Sequence, residues 1–94
     1  MAFEFQWDAA KAAANVRKHG VTFSEASTAF SDPLSATIED ELHSGEEQRY
    51  VLFGMSERGR LLAVMHTECD EVIRIISARK ATRAEQREYE DEEL

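Results

Sequence analysis

Gln48–Met55 (QRYVLFGM), Leu61–Thr67 (LLAVMHT) and Val72–Ser77 (VIRIIS) follow one another with Ser56-Glu57-Arg58-Gly59 and Glu68-Cys69-Asp70-Glu71 between them. All three runs are rich in β-branched, aromatic and other apolar residues, and the connections are short enough for hairpin loops. They predict an antiparallel meander. Side chains alternate between the two faces of a strand, so Arg49 shares a side with Val51 and Phe53, and His66 with Leu62 and Val64. This mixture predicts a sheet with one face covered and the other partly open.

Upstream, Phe3, Phe5 and Trp7 alternate with Glu4 and Gln6, the period of a half-buried first strand. Asp8 fits a helix N-cap, and the alanine-rich run Ala9–Lys18 favours helix. Lys18 and His19 suit the negative end of the helix dipole, and Gly20 can close it in the left-handed conformation, which predicts a helix over residues 9–19. Thr22-Phe23-Ser24-Glu25 reads as a capping box, with Thr22 as N-cap, Glu25 reaching back and Val21 stapled against Ala26. The short helix it opens carries Phe23, Ala26, Ala29 and Phe30 on one face, and Asp32-Pro33 turns the chain. Ala36–Asp40 is a further strand candidate, followed by an acidic loop through Ser44-Gly45. Thr82-Arg83-Ala84-Glu85 repeats the capping-box pattern and opens a polar helix that frays into an acidic tail at about 89–94. The predicted fold class is α+β: two helices packed together on one face of a mainly antiparallel sheet, with a C-terminal helix, in a single domain over residues 1–94.

A chain of 94 residues supports one modest core, and 43% hydrophobic with 32% charged residues is a folded rather than a disordered composition. The single cysteine, Cys69, excludes an internal disulfide and a zinc knuckle. The start, Met1-Ala2-Phe3-Glu4-Phe5, lacks a basic region followed by an apolar run, and no stretch approaches the roughly 18 apolar residues of a membrane span. The expected location is the cytoplasm, with no membrane partner. A net charge of −8 runs against nucleic-acid binding, since phosphate contacts depend on Lys and Arg. Nine of the negative charges, however, sit in two runs, Glu39–Glu47 and Glu90–Glu93, and the remainder is near +1. Those runs read as solvated segments able to meet a basic partner. His19, His43 and His66 are scattered and the carboxylates lie in loops and the tail, so the sequence predicts neither a metal site nor a cofactor.

Three segments together resemble the BrnT family of toxins, within the RelE-like ribonuclease group. They are Trp7-Asp8 with Lys11, Asn15, Lys18-His19-Gly20-Val21, Phe23, Ala26 and Phe30; then Arg49-Tyr50-Val51 through Gly54, with Arg60-Leu61-Leu62 to His66-Thr67; and finally Arg74-Ile75-Ile76-Ser77-Ala78-Arg79 with Ala81-Thr82 and Glu85. The resemblance implies a RelE-like fold and a toxin that cleaves RNA and halts translation. It also implies a cognate DNA-binding antitoxin of BrnA-like, ribbon-helix-helix type, autorepression of the shared promoter, and a homodimer within the toxin–antitoxin complex. The acidic balance and the acidic tail depart from the basic character of many RelE-like toxins.

Cutting RNA without a metal requires a base for the 2′-hydroxyl proton, an acid for the leaving 5′-oxygen and cations for the charge on phosphorus. Arg79, expected just past the last strand, is the first candidate for transition-state stabilisation, because a guanidinium holds two phosphate oxygens at once. From spacing alone, the ordinary alternative is a surface arginine paired with a carboxylate. Lys80 and Arg83 beside it are candidate RNA-backbone contacts. His66 is the first histidine for acid–base work, since imidazole titrates near neutrality, though its place beside Leu62 and Val64 equally suits a packed histidine. His19 is explained by the helix dipole. Arg49 and Arg60, on or beside adjacent strands, can turn toward Arg79 if the register permits, the first as a catalytic candidate and the second as an RNA contact. Glu85 is accounted for by its capping box, and Trp7, Asp8, Lys11 and Asn15 by packing and capping. The rival reading is a non-enzymatic module that binds a protein through its sheet and acidic segments.

Overall fold

The structure, a computed structural model, describes residues 3–45 and 47–92. Met1, Ala2, Glu46, Glu93 and Leu94, which entered the readings of the N-terminus and the acidic runs, lie outside the described residues. The elements are β1 (Glu4–Gln6), α1 (Ala9–His19), α2 (Phe23–Thr28) with a 3-10 turn at Ala29–Ser31, β2 (Ala36–Glu39), β3 (Arg49–Met55), β4 (Leu61–Cys69), β5 (Val72–Lys80) and α3 (Arg83–Glu92). The five strands form one sheet in the order β1-β5-β4-β3-β2. Strands β2 to β5 make the expected antiparallel meander, and β1 adds to its far edge, parallel to β5.

Strands β4 and β5 outrun the sequence expectation because only Asp70-Glu71 turn the chain, so the two pair along nearly their full length. Arg79 therefore lies inside β5, opposite Ala63, rather than past its end. The C-terminal helix also runs further than expected: residues through Glu92 are helical, and Tyr89 is buried where a frayed tail was predicted to start.

One face of the sheet carries Leu52, Leu62, Val64, Ile73, Ile75 and Ala78, and closes on Val21, Phe23, Ala26 and Ala29 from the helical segment. Helices α1 and α2 thus share this face, as predicted. Asp8 caps α1 through a bond from the Lys11 amide, and Gly20 ends it at φ 69°, a conformation glycine adopts without strain. Gly54 is required for a different reason: a Cβ there would stand 2.6 Å from the Ala29 carbonyl oxygen, so β3 meets the 3-10 turn only without a side chain.

Asn15 joins α1 to the sheet. Its Nδ2 donates to the carbonyls of Val21 (2.9 Å) and Ala78 (2.8 Å), and its Oδ1 accepts from the Ala78 amide (3.1 Å). Strand β1 covers β5 only along Val72–Arg74, so beyond its end the Asn15 amide stands in for a neighbouring strand at Ala78.

The capping box at Thr22 forms only in half. Thr22 accepts from the Glu25 amide at 2.9 Å, but the Glu25 carboxylate does not reach back. It is buried and takes bonds from the Ser56 hydroxyl (2.7 Å) and the Arg60 guanidinium instead. A buried carboxylate is stabilised far more by a cation and a hydroxyl than by one amide, and the β3–β4 hairpin delivers both. At Thr82 the box is complete, with Glu85 bonding the Thr82 amide (2.8 Å) and Thr82 the Glu85 amide (3.2 Å).

Candidate functional site

Strand parity puts Arg49, Val51, Phe53, Ala63, Met65, Thr67, Arg74, Ser77 and Arg79 on the face away from α1 and α2. Helix α3 covers one side of it: Glu85, Glu88 and Tyr89 line a cleft with Ala36, Ile38 and Phe53, and the Tyr89 hydroxyl donates to Asp32. On the rest of this face Arg74 is exposed and Arg49, Met65, Ile76 and Ser77 are half-buried.

Three arginines frame the open part. Arg49 lies opposite Thr67, and Thr67 opposite Arg74, so the two arginines stand in one row about 10 Å apart, two strand spacings. Neither guanidinium has a hydrogen bond or ion pair among the described residues. Further along β5, Arg79 follows Ser77 on the same face. A bulge there sets Met65 opposite Ser77 and His66 opposite Ile75, which leaves Ile76 unpaired and lets it line this face as well.

A shallow pocket of about 230 Å³ on this face is lined by Asp40, His43, Arg49, Met65, Ile76 and Ser77, so Arg49 is the arginine of the three in its wall. It falls below the roughly 300–1,000 Å³ of clefts that enclose small molecules, and suits part of a polymer lying across the surface. Its outer wall is the β2–β3 loop. The Asp40 amide donates to the Arg49 carbonyl (2.8 Å), and the Ser44 hydroxyl donates to the Asp40 carbonyl (2.7 Å) while accepting from the Arg49 amide (2.9 Å). Pinned in this way, the loop sets His43 Nδ1 at 3.1 and 3.0 Å from the two carboxylate oxygens of Asp40.

Arg79 is engaged. Its Nη1 and Nη2 donate to the two oxygens of Glu85 at 2.8 and 3.0 Å, and Nη1 also reaches the Lys80 carbonyl at 3.3 Å. The arginine holds the Glu85 carboxyl at a pKa of about 2, well below its ordinary value, and Glu85 raises that of Arg79 in turn. Lys80 and Arg83 are exposed at the end of β5 and the start of α3, without an ion pair among the described residues.

The other two expected residues lie elsewhere. His66 is fully buried on the helix-bearing face, its ring 5.8 Å from that of Tyr50 and 4.9 Å from that of Phe30, with Nδ1 on the Val64 carbonyl (3.1 Å) and Nε2 on Glu68 (2.8 Å). A side chain so enclosed cannot touch an RNA phosphate, which corrects the acid–base expectation. Arg60 turns to the helical side, where it bonds Glu25 and the Gly20 carbonyl (3.2 Å), because the carboxylate buried there requires a cation. Arg60 lowers the Glu25 pKa and is raised by it. It does not converge with Arg79 and Arg49.

Sequence reasoning passed over His43, Asp40, Arg74 and Ser77 as site residues. For Arg74 the signal was present, since it is the one charged residue within the apolar run Val72–Ser77. Nothing local marked His43, because a histidine in an acidic loop is read as solvated. Among the described residues, no three His, Cys, Asp or Glu side chains assemble in metal-binding geometry. No helix is long and apolar enough to cross a membrane, again among the described residues.

Fold and open face together define a class: a small one-sheet α+β domain with arginines on the sheet face opposite its two N-terminal helices. Residues 7–85 match the family described as ribonuclease toxin, BrnT, of type II toxin–antitoxin system, and the chain belongs to this family. It is a ribonuclease toxin, with RNA as substrate and an antitoxin as partner. The crystal structure of the Brucella abortus ribonuclease toxin BrnT is similar in fold, with a TM-score of 0.65 and 20% sequence identity over 87% of this chain and 100% of that one. No curated protein matches the chain.

Proposed function

We propose that this toxin is a metal-independent endoribonuclease that stops translation by cutting RNA on the open face of its sheet. The observation that carries this reading is the row of unpaired guanidiniums, Arg49 and Arg74, on the part of the sheet face that α3 leaves uncovered, with the pocket beside Arg49. Phosphate is the ligand such a row attracts, and an open face accommodates a chain longer than any enclosed cleft would. Arg79, which follows Ser77 on the same face of β5, supplies transition-state stabilisation, with Lys80 and Arg83 on the approach. Three of its five N–H donors are engaged on Nη1 and Nη2, two by Glu85 and one by the Lys80 carbonyl, and an RNA phosphate competes with these acceptors for them.

The finer partner assignment is a cytoplasmic, BrnA-like ribbon-helix-helix antitoxin with a basic surface, bound with the toxin as a homodimer. The net charge of −8 favours a basic protein partner, and this accounts for the acidic segments without making them part of the RNA site.

The test is induced expression of the chain without antitoxin, with growth followed and RNA ends mapped. Growth arrest with new RNA ends is expected, and cleavage by purified protein should survive exhaustive EDTA. Intact RNA and unchanged growth at verified expression of folded protein would sink the enzyme reading; activity lost to EDTA and restored only by a divalent ion would sink metal independence.

A further inference from the structure

The geometry points to His43, oriented by Asp40, as the general base that takes the proton of a ribose 2′-hydroxyl, while Arg49 holds the adjacent phosphate. This rests on the reading that the open face cuts RNA, and it supplies the proton acceptor that His66 cannot be.

A carboxylate only accepts hydrogen bonds, so the two contacts of Asp40 with Nδ1 assign the proton to that nitrogen and leave the lone pair on Nε2. The Asp40 side chain is only 15% exposed and that of His43 is 68% exposed, so the orienting group is sheltered and the reacting one reachable. A surface pair three residues apart contributes little to stability. Yet the Ser44 hydroxyl, with bonds to both Asp40 and Arg49, fixes the loop so that this pair stands against the unpaired guanidinium of Arg49. Among the described residues, the charged groups lining the pocket beside His43 are Asp40 and Arg49; β4 and β5 contribute Met65, Ile76 and Ser77, which carry no charge.

In the step, His43 Nε2 removes the 2′-hydroxyl proton, the 2′-oxygen forms a bond to phosphorus, and the bond from phosphorus to the 5′-oxygen breaks. The departing 5′-oxygen takes a proton from water, and the imidazolium returns its own to solvent. The products are a 2′,3′-cyclic phosphate and a 5′-hydroxyl. Asp40 is a positioning residue that fixes the tautomer and stabilises the imidazolium, the role an aspartate has beside a catalytic histidine in hydrolytic triads.

The experiment compares wild type with His43→Ala, His43→Gln and Asp40→Asn, by RNA-end mapping in cells and by cleavage of a long transcribed mRNA in the presence of ribosomes. Both His43 variants should keep the wild-type Tm, since the side chain is exposed, and should cut at least about 10²-fold more slowly. Added imidazole should restore part of the rate to His43→Ala. Asp40→Asn should lose less, should keep the wild-type Tm and should lower kcat with KM unchanged, the mark of a group that orients the base rather than one that binds RNA. Products should end in cyclic phosphate. If His43→Ala cuts at the wild-type rate while wild type is active, this assignment is overturned and the ribonuclease reading stands. If wild type itself leaves RNA intact and growth unchanged, both fall.

Discussion

Arg79 and Glu85 meet as two planar groups, with Nη1 on Oε1 and Nη2 on Oε2, and the same carboxylate also caps α3 through the Thr82 amide. One acidic side chain therefore ties the last strand to the last helix and occupies the fork of the arginine proposed to stabilise the transition state. Arg79→Ala should lower the cleavage rate on the order of 10²–10³, the typical cost of one transition-state donor. Arg79→Lys should rescue poorly, because an ammonium keeps the charge and loses the two-point contact. Stability must be measured beside the rate, since both variants also free Glu85. A folded Arg79→Ala protein that cuts at the wild-type rate would remove Arg79 from the site.

The same pair sets an acid limit. The Glu85 pKa is depressed in the folded chain to about 2 from an ordinary 4.5, so its contribution is fully present above about pH 4.5 and disappears as the pH falls through about 2. After allowance for partial exposure this is about 2 kcal/mol. Urea melts from pH 7 down to pH 2.5 should show wild type losing more stability than Glu85→Gln across that window. Parallel curves for the two proteins would show that the pair stores no stability.

His66 packs between Phe30 and Tyr50, so replacing it should affect folding rather than chemistry. His66→Ala should cost about 2 kcal/mol or more through the cavity it leaves. The folded fraction should cut RNA within a few-fold of the wild-type rate. A well-folded His66→Ala protein without activity would return this residue to the catalytic site.

Asn15 makes the bonds that a sixth strand would otherwise make at Ala78. Asn15→Ala would strand a buried amide and two carbonyls, a loss of about 2–3 kcal/mol, or a fall in Tm of about 10 °C or more. Asn15→Asp should fare no better, because it keeps the acceptor and loses both bonds donated by Nδ2. A thermal melt of Asn15→Ala that overlays wild type would show that water satisfies these groups as well.

What the sequence by itself determined is what neighbouring residues decide among themselves. Alternation and two short turns specified the meander, Asp8 and Gly20 bounded α1, Thr82 and Glu85 closed their box, and the family motifs identified the ribonuclease toxin. Parity grouped Arg49 with Val51 and Phe53 and His66 with Leu62 and Val64, and the register between β3 and β4 put the two groups on opposite faces. Which of those two faces would be covered was decided only by the docking of α1 and α2, and that docking buried His66 and left Arg49 open. Cation partners were likewise tertiary: Arg60 and Glu25 are 35 residues apart, and only the hairpin brings them together. A backbone bulge at Ile76, invisible in an unbroken apolar run, turned Ile76 and Ser77 toward one pocket, and a loop pinned by Ser44 carried His43 to it. Local hydrogen bonding and periodicity can be read along a chain. The partner of a buried charge and the covered face of a sheet cannot, because each is settled by the free energy of segments that meet only when the chain has folded.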